Sequence, residues 1–217
     1  MTAEFAQKGV TLVAVSKTKP VADVVELYQL GQRVFGENYV QELVEKQAEL
    51  PADIQWNFIG HLQTNKVKYI APFVSLIHTV DSFKLLAEIN KQAQKCDRTI
   101  HVLLQVYIAA EDTKFGLDQQ ELTALLDEYH KKKNELQNIR ICGLMGMATN
   151  TENETQIRTE FANLHQLFNS TKSVHFADDA TFATCSMGMS SDYKIAIEAG
   201  SNMVRIGSLL FGSRVTV

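Results

Sequence analysis

Short apolar runs and longer amphipathic stretches alternate along the chain. The first run, "VTLVAVS" over 10–16, reads as a buried strand. Val21, Val24, Val25 and Tyr28 then recur at helical spacing, with Pro20 suited to a first helical turn. "RVFGE" (33–37) predicts a second strand, and "YVQELVEKQAEL" (39–50) a helix stopped by Pro51. "WNFIG" (56–60) and "SLIHTV" (75–80) predict the third and fourth strands, with a short helix in "TNKVKYIAP" between them. Asp81 and Ser82 can cap a helix that carries Leu85, Leu86, Ile89 and Ala93. "TIHVLLQVYI" (99–108) is β-branched and apolar, and predicts the fifth strand. Leu122, Leu125, Leu126 and Tyr129 make a helical stripe, and "IRICGLMGMA" (139–148) is the sixth strand. A long helix follows on Ile157, Phe161, Leu164 and Phe168. "FATCSMG" (182–188) and "NMVRIG" (202–207) are the last strands, separated by a short helix around Tyr193 to Ala199.

Strands apolar on both faces and spaced by helices imply a parallel sheet. Eight such units favour an α/β fold of one kind, a closed (β/α)8 barrel of the TIM type. A doubly wound open sheet is the alternative, but no G-x-G-x-x-G follows the first strand. With only three prolines and no linker-like tract, residues 1–217 are expected to form a single domain.

Composition narrows the function classes. A chain 45% hydrophobic and 21% charged is ordinary soluble globular material. The net charge is −4, and the densest basic cluster, "HKKK" at His130 to Lys133, reads as a helix end, so nucleic-acid binding has little electrostatic support. Cys96, Cys142 and Cys185 are scattered without metal-ligand spacing, which suits reduced thiols in a cytoplasmic protein and no metal site. No apolar run approaches the ~18 residues of a membrane helix.

In a barrel, chemistry collects at the carboxyl ends of the strands. The first strand runs into "SKTKP", where Lys17 shares parity with Val13 and Val15. If those valines fill the barrel, Lys17 points in at its top. A partly desolvated lysine amine is a nucleophile that can form a Schiff base with a carbonyl. The ordinary alternative is a lysine that reaches solvent or pairs with a carboxylate. The ends of strands seven and eight, "SMGMSSD" and "RIGS", put glycines and serine hydroxyls where helices begin, a frequent phosphate site in barrels. Turn chemistry without a ligand is the competing reading there. Arg205, inside an apolar strand, needs a partner, and a permanent cation can hydrogen-bond a pyridine nitrogen and keep it unprotonated. An inward amine and a distant anion site suit a ligand with an aldehyde at one end and a phosphate at the other. Pyridoxal 5′-phosphate (PLP) fits, and a sugar-phosphate aldolase substrate fits nearly as well.

"AVSKTKP", "FGENYVQE", "FIGHLQTNK", "GLMGMA", "SMGMSSD" and "MVRIGSLLFG", in this order between about residues 10 and 213, resemble the YggS/PROSC family of pyridoxal phosphate homeostasis proteins. The resemblance implies a barrel like the N-terminal domain of alanine racemase. It implies that Lys17 is the Schiff-base residue and that Lys19 and Asn38 lie near the cofactor. Met147 would pack against the ring. Ser186, Met187 and Gly188, with Gly207 and Ser208, would hold the phosphate. Arg205 would face the pyridine nitrogen, Lys114 would sit at the pocket rim, and His61 is a weaker candidate beside it. The implied partners are PLP, related B6 vitamers and apo-PLP enzymes, and the implied state is a monomer.

Members usually carry a long helix before the first strand, whereas Met1 to Gly9 precede it here. The barrel bottom beside strand one is therefore expected to be less covered. The chain ends at Val217 without the basic tail seen in some members. The alternative function is a PLP-dependent amino-acid racemase or lyase. Racemases of this kind take their second base, a tyrosine, from a second domain of a partner subunit. Tyr39, Tyr107 and Tyr193 are not obvious substitutes, and an arginine at the ring nitrogen weakens the ring as an electron sink. A cofactor carrier is therefore the expectation over an enzyme.

Overall fold

In the computed structural model, which describes residue 5, residues 7–109 and residues 115–212, eight parallel strands close into a barrel in chain order. They are β1 (Thr11–Val15), β2 (Val34–Glu37), β3 (Gln55–Phe58), β4 (Leu76–Val80), β5 (Ile100–Gln105), β6 (Ile139–Met145), β7 (Thr184–Ser186) and β8 (Met203–Ile206). The barrel closes where β1 pairs with β8, with Val13 beside Arg205. The helices are α1 (Val21–Gln29), α2 (Val40–Glu49), α3 (Val67–Ile70), α4 (Phe83–Lys95), α5 (Gln119–Lys131), α6 (Glu154–His175), α7 (Tyr193–Glu198) and α8 (Ser208–Phe211). The expected barrel is therefore the observed one.

Local chemistry sets the helix starts. Ser82 Oγ accepts the Leu85 N–H at 3.3 Å, as its position before the α4 stripe predicts. Asp118 and Glu121 form a reciprocal capping box at α5. Most strands are shorter than their apolar runs. The fifth stops at Gln105, where Gln105 O accepts the Leu117 N–H and the Tyr107 N–H donates to Leu117 O, so the 115–117 segment pairs beside it.

Two apolar layers follow from strand alternation. Outward residues such as Phe35, Phe58, Ile77 and Leu104 pack under the helices. Leu76, Leu103, Cys142 and Met145, with Met147 and Met203, fill the barrel itself. Phe5 is buried against Val10, Leu12, Val204 and Ile206, on the helix side of β1 and β8. Burial pushes the thiols of Cys142 and Cys185 up to about 11 and about 12, so both stay protonated and inert at neutral pH.

A bulge redirects β6 toward the site. Val102 and Leu103 of β5 are adjacent, but their partners are Ile141 and Gly143, which leaves Cys142 as the extra residue. The alternation shifts by one, so that Leu144 joins the outer layer and Met145 and Met147 the inner one. Gly143 makes this possible at φ +152°, where a Cβ would lie 1.8 Å from the Thr184 carbonyl oxygen. Gly143→Ala is expected to force β6 and β7 apart and to cost more than about 4 kcal/mol, which a thermal or urea melt reads directly. A variant within ~1 kcal/mol of wild type would show that the bulge tolerates a side chain.

Candidate functional site

A cavity of about 460 Å³ opens at the carboxyl ends of the strands. Its polar walls are Lys17, Lys19, Asn38, Ser190, Ser191, Arg205 and Ser208, and its apolar walls include Val15, Ile59, Met147, Met189 and Leu209.

Strand parity divides the end of β1 as expected. Ser16 is fully buried on the helix side, where its hydroxyl donates to Glu37 Oε1 at 2.6 Å. Lys17, one residue on, lines the cavity. The turn that carries it is clamped from α2. Lys46 Nζ donates to Ser16 O (2.7 Å), Glu37 Oε1 (2.8 Å) and Glu42 Oε1 (2.7 Å). Glu42 Oε1 also accepts the Thr18 N–H at 2.6 Å. Thr18 sits at φ +61°, a left-handed conformation that needs such external support in a β-branched residue. Lys19 also lines the cavity, but its ammonium donates to the carbonyls of Phe211 (2.8 Å) and Gly212 (3.3 Å). It therefore ties the β1 turn to the end of α8.

Arg205 reaches the cavity floor from β8 while remaining only 4% exposed. Its Nη1 donates to Ser186 Oγ at 2.6 Å and its Nη2 to Gly146 O at 3.0 Å. Burial pushes its guanidinium down to about 10, which still leaves it charged at neutral pH. Gly207 lies against β1, where a Cβ would meet the Val15 oxygen at 3.2 Å, and its N–H donates to Ser190 Oγ. Asn38 Oδ1 is buried and has no hydrogen-bond partner among the described residues.

The structure brings together Lys17, Lys19, Asn38, Met147, Arg205, Gly207 and Ser208. Ser186, Met187 and Gly188 are not among the residues that line the cavity. Ser186 still belongs to β7 and lies under Arg205, and Met187 is wholly buried. Gly188, at φ +96°, packs so closely on α7 that an added Cβ would sit 2.5 Å from Ala196 Cβ. From this loop Ser190 and Ser191 line the cavity, because the loop begins after Ser186 rather than before it. His61 lies in a neighbouring cleft with Tyr39 and Tyr69, stacked on Phe115 at 4.8 Å between ring centroids. Lys114 lies outside the described residues. His78 and Asn57 carry hydrogen bonds in the barrel interior and were not singled out by sequence. Their signal was a polar residue at inward parity within the runs "SLIHTV" and "WNFIG".

Residues 1–215 match the family described as alanine racemase, N-terminal domain. The chain is 39% identical over 213 residues to the pyridoxal phosphate homeostasis protein of Pasteurella multocida, covering 96% of this chain and 88% of that one. It is 41% identical over 204 residues to the protein of that name from Aquifex aeolicus, covering 94% and 86%. Among solved structures, PipY of Synechococcus elongatus with PLP bound superposes with a TM-score of 0.83 at 33% identity, covering 98% of this chain and all of that one. Alanine racemase from Bartonella henselae, at 18% identity, shares the fold with a TM-score of 0.70; the match covers 99% of this chain and 62% of the enzyme. Motif order, barrel and identity agree: the chain belongs to the alanine racemase N-terminal domain family and, within it, to the pyridoxal phosphate homeostasis proteins.

Proposed function

We propose that this single-domain chain binds PLP at the barrel mouth and takes part in intracellular PLP homeostasis, by buffering or by delivery, without robust catalysis of its own. One observation carries the reading: an amine, a buried cation and a set of hydroxyls line the same cavity, as Lys17, Arg205 and the serines 190, 191 and 208. The residues suit the group. The buried acceptor Asn38 Oδ1 lacks a hydrogen-bond partner among the described residues, and Gly207 leaves room for close backbone approach. The names of the relatives and the PLP-bound PipY structure support it further.

When bound, PLP supplies an electrophilic aldehyde and an electron-withdrawing ring. Lys17 is the residue that would hold it covalently, as a Schiff base. Ser190, Ser191, Gly207 and Ser208 would hold the phosphate through hydroxyl and backbone donors. Met147 and Ile59 would cover the ring. Arg205, a permanent cation at the cavity floor, would face the ring nitrogen and keep it unprotonated, which argues for holding the cofactor over carbanion chemistry. Related B6 vitamers and apo-PLP enzymes are the partners this reading implies, with the protein acting as a monomer. Three free thiols suit a cytoplasmic setting. Among the described residues, no helix is long and apolar enough to cross a membrane.

The test is a titration of purified protein with PLP, followed by visible absorption and then by assays of racemisation and of transfer to an apo-PLP enzyme. A stoichiometric visible band and recovery of apo-enzyme activity are expected. A colourless protein would sink the reading, and robust racemase or lyase turnover would replace the carrier with an enzyme.

A further inference from the structure

Four buried polar side chains from four strands form one unbroken chain through the barrel. Arg205 Nη1 meets Ser186 Oγ at 2.6 Å, and Ser186 Oγ meets His78 Nδ1 at 3.3 Å. His78 Nε2 meets Asn57 Oδ1 at 2.7 Å, and Asn57 Nδ2 meets Gln55 O at 3.2 Å. All four side chains belong to residues at most 4% exposed. The Ser186–His78 link crosses the interior from β7 to β4, where the barrel is otherwise filled by Leu76, Leu103 and Met145.

The direction of each bond follows from the first. A guanidinium only donates, so the Ser186 oxygen accepts from it. The single Ser186 proton is then directed to His78 Nδ1, which must be the acceptor nitrogen. A neutral imidazole that accepts at Nδ1 carries its proton on Nε2 and donates it to Asn57 Oδ1. Asn57 completes the sequence by giving its amide N–H to the Gln55 carbonyl. Burial and the Arg205 charge hold the imidazole well below its ordinary value, which suits this neutral form. At the cavity end, Gly146 O takes Nη2 and Ser186 takes Nη1, while Nε has no protein partner among the described residues. Two of the five guanidinium N–H groups thus hold the plane from below, and the Nε–H is among those left for the cavity.

We propose that His78 and Asn57 are positioning residues which, acting through Ser186, aim the Arg205 guanidinium at a ligand ring nitrogen. This rests on the reading that the cavity holds PLP. Buried polar groups are costly unless fully bonded, and a bonded chain that ends on a buried cation at a cavity floor is a device for orientation.

The experiment compares wild type, Ser186→Ala, His78→Leu, Arg205→Lys and the His78→Leu/Arg205→Lys double variant. PLP affinity and the position of the visible band are the readouts, with melting curves and borohydride trapping on Lys17 as controls. Ser186→Ala removes few atoms and serves if His78→Leu does not fold. The single variants are expected to trap PLP on Lys17 but to bind it about tenfold more weakly, with a displaced band. The double variant is expected to bind no more weakly than Arg205→Lys alone, because both changes remove one interaction. Unchanged affinity and band in Ser186→Ala and His78→Leu would overturn the proposal. Simple multiplication of the two losses would also overturn it, since it would mean that His78 acts on stability rather than through Arg205. Wild type that takes up no PLP would sink the cofactor reading and this proposal together, whereas normal wild-type uptake with silent variants sinks the proposal alone.

Discussion

Lys17→Ala is expected to abolish the visible band that PLP produces with the wild-type protein, and to abolish borohydride-trapped mass as well. Lys19→Ala is expected to keep both. The two lysines are two residues apart, and both line the cavity, so position alone does not separate them. Their surroundings do. The Lys19 ammonium is committed to the Phe211 and Gly212 carbonyls, and a protonated, doubly bonded amine is a poor nucleophile. Lys17 follows a residue, Ser16, that is locked on the helix side of β1, which leaves its own side chain on the cavity side. Lys17→Ala retains Arg205 and the serines, so it is expected to bind PLP reversibly and without the covalent band. Lys19→Ala is expected to weaken retention of PLP by loosening α8, which carries Ser208 and Leu209. Peptide mapping after reduction decides the assignment. Label on Lys19, or on another lysine in a Lys17→Ala protein that keeps its colour, would move the covalent role elsewhere.

The part of this site that was legible in the sequence is the part that depends on local alternation. Val13, Val15 and Lys17 could be counted along one strand, and that count agrees with the structure. Of the residues expected to hold a phosphate, Gly207 and Ser208 line the cavity and Ser186, Met187 and Gly188 do not, because nothing in "FATCSMGMSSD" marks where the strand ends. β7 ends at Ser186, so Ser186 is a strand residue beneath Arg205, and Ser190 and Ser191 further along line the cavity. The β6 bulge was equally silent, because its cause is the close approach of the Thr184 carbonyl to Gly143, a contact between residues 41 apart. His78 and Asn57 read as stray polar residues in apolar strands. Their meaning lies in a bond to Ser186 across the barrel, which no periodicity within one strand can report. The helices were easier, since an amphipathic stripe and a capping serine or aspartate are sequence-local.

Lys46→Met is expected to be the most damaging single change outside the barrel interior that leaves the cavity lining untouched. Lys46 is 4% exposed, and its three bonds join β1, β2 and the start of α2. Methionine fills most of the volume but leaves the Glu37 carboxylate and the Ser16 carbonyl buried without the cation. Removing one partner of a buried pair costs about 3–5 kcal/mol. The expected loss is of that size, and it should appear also as weaker PLP retention, because Ser16 and Thr18 flank Lys17. The pH dependence gives a second check. Burial already pushes the Glu37 carboxyl above its ordinary value, against the lowering effect of its bonds from Lys46 and Ser16. Without Lys46 that upward displacement grows. A carboxyl whose value is raised on folding contributes its stability at low pH and loses it as the pH climbs from the ordinary carboxylate range through the raised value. The deficit of Lys46→Met should therefore be larger at pH 8 than at pH 5, and Lys46→Met/Glu37→Gln should recover part of it at pH 8. A deficit that is equal at both pH values, or that the second substitution deepens, would show that Lys46 stabilises the β1 turn by packing its methylenes and not by its charge.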